Sequence, residues 1–431
     1  MPRQAASPYR TGMGVLARLV LAVFVVAAGL GSVVAPATSG AGDAGPPPEF
    51  SDTVVHTVAD PTALAFTPDG RMLITQRTGK LRVVRDGVLL AQPALNLSGR
   101  ICSGGERGLL GVAVDPNFAA NHFVYLFWTH DAFDFCGVGG PNAPENRVTR
   151  HVLRANDTVE PGSQRVLVDH IASKRENHNA GDLQFGFGEL LYVSVGDGGC
   201  TLGQPNQCGA DNTNSRRLDI PQGKILRVTR TGKVPASNPY VGAPGARRCT
   251  QPSGPDPGTG PCTETFASGF RNPFRFARQP GTRTFYVNDV GQSTWEEIDR
   301  LERGADYGWN VREGHCATDS TTDCGPTSFE NPLHDYSHAA TDCQSITGGA
   351  FVPEGLWPAP YDGAYLFADF VCGTVFRLAP AGGGAYTQEP FITDVAGPVH
   401  LAFGPYEDTQ ALYYLAYFDA TVHRVVLDET R

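Results

Sequence analysis

The chain has 431 residues and a formal net charge of −10, with acidic and basic residues interspersed rather than gathered into long like-charge runs. That balance offers no broad basic face, so it weighs against nucleic acid and anionic membrane surfaces as partners. The ten cysteines, an even number that all lie beyond residue 100, point to an oxidising compartment.

At the N-terminus, Arg3, Arg10 and Arg18 precede an apolar run from Leu19 to Leu30, too short to span a bilayer comfortably. Ala35-Pro36-Ala37 then fits the small-x-small pattern at which signal peptides are cut. The pattern predicts a secretory signal over 1–37 and a flexible leader over 38–49. One folded domain over 50–431 then follows, secreted to an extracellular or periplasmic space. No later stretch is long and apolar enough to predict a membrane span in the mature chain.

Further along, internal repetition sets the expected fold. Residues 61–84, PTALAFTPDGRMLITQRTGKLRVV, read as an alternating strand, a Pro-Asp-Gly turn, a second strand, a Gly-centred turn and a third strand. Degenerate copies begin near Gly108, Gly181, Asn272, Thr347 and Pro398, which makes six. No segment between them sustains a helical period. Six repeats of short antiparallel strands predict an all-β, six-bladed β-propeller, whose radial packing leaves only short sheet edges exposed. A pair of packed sheets is the structural alternative. The strand near Phe50–Val58 is expected to pair with the last repeat and close the ring.

Long Gly-, Asn- and Pro-rich insertions are expected at about 130–150, 200–220, 235–265 and 315–345. They carry most of the cysteines, so the loops are expected to be stapled. Consecutive pairing is expected: Cys102 with Cys136, Cys200 with Cys208, Cys249 with Cys262, Cys316 with Cys324, and Cys343 with Cys372. Each short loop so closed is worth roughly 2–3 kcal/mol, enough to pin a surface loop but not to create a core. A zinc site is the rival reading, and the absence of CxxC or zinc-like His/Cys spacing weighs against it.

Three polar clusters interrupt the alternating pattern where strands meet connections. In the first, Glu176-Asn177-His178-Asn179-Ala180-Gly181-Asp182 precedes one strand and Gly196-Asp197-Gly198-Gly199 follows the next. An Asp beside a His fixes its tautomer and improves it as a base; the plain alternative is that both serve turns. In the second, Arg271 and Asn272 offer a planar donor fork and an amide, suited to a carboxylate or quinone oxygen. The alternative there is an Arg paired with a neighbouring acid. The third holds Asn288-Asp289-Val290-Gly291-Gln292, Glu296-Glu297 and Asp306-Tyr307-Gly308-Trp309. Carbonyls around a Gly with carboxylates nearby suit a hard cation such as calcium, while turn chemistry and solvated acid explain it equally.

In this order the motifs GERGLLGVAVDPNF, HNAGDLQFG…LYVSVGDGG, GKILRV, ASGFRNPFRFA, NDVGQSTWEEID and GADYGWNVREG resemble the soluble glucose/sorbosone dehydrogenase family, from about Pro61 to Leu427. The resemblance implies a six-bladed propeller that oxidises the C1 hydroxyl of an aldose or oligosaccharide. Its cofactors would be pyrroloquinoline quinone (PQQ) and calcium, and its electrons would pass to an unidentified acceptor. It implies His178 as base, Asp197 as its orienting carboxylate, and Glu106 beside substrate and cofactor. Arg271 and Asn272 would hold the quinone, and the Gly291 and Gln292 carbonyls its calcium. Glu297 and the Tyr307 carbonyl resemble a second, structural calcium site.

Two departures stand out. Val371 and Cys372 fall where the glucose dehydrogenase branch has a Lys and its neighbour, and residues 393–400 contain no Arg where that branch has a pair. Arg216, Arg217 and His400 are the expected candidates to compensate. The family also includes hedgehog-interacting propellers, so a calcium-stabilised propeller that binds a glycan or protein is the alternative function. A calcium-dependent lactonase would need a ring of acidic and Asn ligands at the channel, which the sequence does not locate.

Overall fold

The computed structural model describes residues 45–140, 142–199, 212–325 and 327–428. The expected signal segment and most of the leader lie outside these residues. Among those described there is one short helix, Phe118–Asn121, and two 3-10 turns; the rest of the regular structure is strand.

Six antiparallel sheets follow one another along the chain, each a blade. The innermost strands are Pro61–Phe66, Leu109–Val114, Leu183–Phe185, Pro273–Arg278, Ile346–Phe351 and Pro398–Tyr406. Each abuts the next, and the last returns to the first. The expected closure is present: Phe50–Thr57 pairs antiparallel with Thr421–Leu427, so both ends of the domain share the sixth blade. The Pro-Asp-Gly turn of the first repeat also forms as read. Gly70 takes a left-handed conformation, and its N–H and that of Thr67 bond across the turn.

The expectation of alternating strands holds only at the rim. The second strands Met72–Gln76, Leu191–Val195, Phe285–Asp289 and Tyr365–Asp369 are buried at every position. The reason is radial packing, because an inner strand has a neighbouring blade on both faces. The outer strand Ala385–Ile392 alternates along most of its length. The apolar core is accordingly divided into clusters between adjacent blades. One cluster holds Leu73, Val112 and Trp128 between the first and second blades, and another holds Ile225, Phe276 and Val287 between the third and fourth.

One insertion is shorter than expected. Residues expected to loop over 130–150 include the regular strand Glu145–Val152, which pairs residue for residue with Phe123–His130. Four of the five expected disulfides are formed, Cys102–Cys136, Cys249–Cys262, Cys316–Cys324 and Cys343–Cys372. Cys200 and Cys208 lie outside the described residues. No helix among the described residues is long and apolar enough to cross a membrane.

Candidate active site

All six innermost strands run in the same sense, so their first residues and the ends of the second strands gather at one mouth of the channel. A cavity of about 460 Å3 opens there, with walls drawn from every blade. His178, Glu106, Arg271, Asn272, Gly291 and Gln292, all expected from sequence, line it together.

His178 stands in the connection before the third blade with a left-handed backbone, φ +53°. A non-Gly residue held there costs of order 1–3 kcal/mol, so surrounding bonds must fix it. They do: its N–H donates to Glu106 Oε2 at 2.7 Å, and Asn272 Oδ1 accepts from Ala180 N at 3.2 Å. Gly196 packs directly against the His178 carbonyl, and a Cβ there would collide with it. His178 Nδ1 bonds Asp197 Oδ1 at 2.7 Å, which leaves Nε2 as the nitrogen available to the cavity.

Asp197 is buried and completely engaged. Oδ1 also accepts from Gly199 N, and Oδ2 accepts from Asn212 Nδ2 and from the Trp309 indole N–H, each at 2.9 Å. Burial raises the cost of its charge, but His178, Arg271 and these donors outweigh that and hold the carboxyl below its ordinary range. The sequence placed Trp309 in the third polar cluster and not with Asp197, while Asn212 sits in an insertion with no pattern to mark its role.

Arg271 and Asn272 are aimed by Asp289, whose two oxygens accept their backbone N–H groups at 2.8 and 2.6 Å. Burial pushes the Asp289 carboxyl up to about 7, against the pull of those amides and Arg271. The Arg271 guanidinium donates to the Val290 carbonyl at 3.0 Å and stands over the Trp309 ring, while its Nε is buried with no hydrogen-bond partner. The Gln292 side-chain oxygen is likewise buried and unpartnered.

None of the three residues expected to compensate, Arg216, Arg217 and His400, lines the cavity. Arg216 pairs with Asp306 and covers Phe329, and Arg217 pairs with Asp219 at the surface; neither lines the cavity. His400 is buried and accepts the Arg275 Nε–H at 3.1 Å, which fits burial and Arg275 driving its basicity well below ordinary. Arg77 and Arg275 do line the cavity. Arg275 closes the channel beneath it, bonding the carbonyls of Thr62, Leu110 and Phe274 from three inner strands. Arg77 holds the Ser103 and Gly105 carbonyls beside Glu106. Neither was legible, because each sits inside a strand repeat that reads as packing.

Glu297 is drawn into a buried acidic cluster with Asp289 and Asp299. Both Asp299 oxygens are buried without a partner, and burial together with mutual repulsion raises Glu297 and Asp299 well above the carboxylate range. A hard cation is the group such oxygens lack, so the donor set fits calcium. The Tyr307 side chain takes no part: its ring stacks on Phe270 and its hydroxyl serves the 300–302 turn.

The arrangement defines a six-bladed propeller built around a ligand cavity, with an oriented imidazole and convergent guanidinium groups at the channel mouth. The chain belongs to the glucose / sorbosone dehydrogenase family, whose model matches residues 58–399. It is 30% identical over 252 residues to the aldose sugar dehydrogenase YliI of Escherichia coli, covering 58% of each chain. It is 27% identical over 347 residues to the HIPL1 protein of Arabidopsis thaliana, covering 69% of this chain and 48% of that one. The chain thus spans about half to three-fifths of the length of these curated relatives. The PQQ-bound aldose sugar dehydrogenase of Streptomyces coelicolor has the same fold, with a TM-score of 0.63 at 23% identity over 88% of this chain and 99% of that one.

Proposed function

We propose that this protein is a secreted quinoprotein sugar dehydrogenase that oxidises the C1 hydroxyl of an aldose or oligosaccharide, with PQQ and calcium as cofactors. The observation that carries the reading is the His178–Asp197 couple at the cavity wall, with Arg271 beside it.

PQQ, when bound, supplies the two-electron acceptor for the reaction. The chain's own residues supply the rest. Arg271, with its unpartnered Nε, and Asn272 would grip the quinone, and Arg77 and Arg275 would bring positive charge to its carboxylates. The carbonyls of Gly291 and Gln292 would hold calcium at the cavity. A second calcium would sit among Asp289, Glu297 and Asp299 with the Tyr307 carbonyl. His178 Nε2 takes the proton of the sugar hydroxyl. Asp197 keeps Nδ1 protonated before that step and stabilises the imidazolium after it. Glu106 fixes the His178 backbone and lies where a second hydroxyl of the sugar would reach.

Titration of the mature chain with PQQ and calcium, followed by calorimetry, tests this reading alongside dye reduction with a panel of aldoses. Saturable calcium-dependent binding with sugar-dependent dye reduction is expected. Folded protein that binds no PQQ at high micromolar concentration would overturn it. The second reading, a binding propeller for a glycan or protein, is favoured by one observation. The cavity wall from the fifth and sixth blades carries no charged side chain: Gln344, Ser345, Thr347, Phe370, Val399 and Tyr417.

A further inference from the structure

The turn from Gly291 to Trp295 is held from beneath by one buried carboxylate. Glu313 Oε1 accepts four successive backbone N–H groups, from Gln292, Ser293, Thr294 and Trp295, at 2.8, 2.9, 2.8 and 3.1 Å. Glu296 Oε2 takes the Gly291 N–H at 3.3 Å, and its other oxygen bonds His338 at 2.7 Å. These peptide units are trans, so each carbonyl points opposite to the N–H that follows it. With the Gln292 and Ser293 amides turned onto Glu313, the Gly291 and Gln292 carbonyls are turned away from it. Both residues line the cavity, and no donor among the described residues reaches either carbonyl. Room for this arrangement depends on Gly291, where a Cβ would strike the Trp295 carbonyl.

We propose that Glu313 is the positioning residue of the cavity, and that by gathering these four amides it presents the Gly291 and Gln292 carbonyls as a pair of cation ligands. A carboxylate in such a nest forms strong charge-assisted bonds and fixes several peptide planes together. Glu313 touches neither substrate nor quinone, so it sets calcium-dependent ligand affinity and leaves the proton-transfer step alone. The calcium assignment rests on the proposed function; the orientation of the turn does not.

The full chain and its Glu313→Ala and Glu313→Gln variants are compared by two readouts. One is the calcium concentration that half-saturates PQQ binding, and the other is hydrogen exchange at the amides of residues 292–295. Glu313→Ala is expected to raise the half-saturating calcium by about tenfold or more, the scale of one lost charge-assisted bond. It is also expected to expose those amides to exchange. Glu313→Gln keeps an acceptor oxygen without the charge, is the variant to use if the alanine form does not fold, and should fall between. Wild-type calcium dependence in a folded Glu313→Ala protein overturns the proposal while leaving the dehydrogenase reading standing. A wild-type protein that binds no PQQ removes that reading, and unchanged exchange at 292–295 in Glu313→Ala then removes this one as well.

Discussion

The two halves of the cavity wall are made differently. From the first four blades come Arg77, Glu106, His178, Arg271 and Arg275, each tied down by backbone or carboxylate partners. From the fifth and sixth blades come neutral and aromatic groups, with Phe370 packed on Phe418 at the rim. Recognition of charge is therefore concentrated on one side, so a cation missing from the fifth or sixth repeat does not leave the cavity without cations. The Arg275–His400 contact joins the two halves: the sixth blade offers a neutral imidazole as acceptor, and the charge stays on the fourth.

The sharpest test of the charged half is His178→Ala. Loss of a general base should lower turnover by about 10²–10⁴-fold while PQQ affinity changes little, as read by steady-state kinetics beside calorimetry. Unchanged turnover would sink the assignment of the base. Asp197→Asn should lower turnover by a similar or smaller factor through the wrong tautomer, whereas Trp309→Phe, which removes one of the donors to Asp197, should cost about tenfold.

Arg271→Met and Arg77→Met should each weaken PQQ binding by about 1.5–3 kcal/mol if the cofactor's carboxylates are held on this side. Wild-type affinity in both variants would mean that the neutral half carries the binding, and the comparison would break. Phe370→Ala sharpens it from the other direction. Its effect should fall on the sugar KM, by less than about tenfold, and not on the quinone Kd.

A separate effect, on stability and not on activity, concerns Lys224, which is buried with its ammonium donating to the carbonyls of Asn214, Ser215 and Gln222. Burial pulls its pKa from 10.5 down to about 7. Between those values the unfolded chain binds more protons than the folded one, so this group makes stability rise with pH across that window. The slope is at most about 1.4 kcal/mol per pH unit. Lys224→Met should lack that slope in denaturant unfolding between pH 7 and about 9, where tyrosines are still largely protonated. Parallel curves for the two proteins would show that the ammonium stays charged in its carbonyl cage.

The ring of six blades and most of the loop staples were legible in the sequence because they are local repeats or near-neighbour cysteines, and the closure through Phe50–Thr57 followed from an unpaired strand ahead of the first repeat. Its short Gly-, Asn- and Asp-rich motifs marked His178 with Asp197, and Arg271 with Asn272, as two separate breaks in the strand pattern, and the family resemblance implied that the two share a site. Which distant side chains support them is set by how the blades pack together. Asp197 meets Trp309 across 112 positions, and Arg275 meets His400 across 125. No periodicity within a blade encodes such pairs. They arise because radial packing brings the same end of every blade to one axis, where a buried carboxylate or guanidinium must find its partners from whichever blades arrive there.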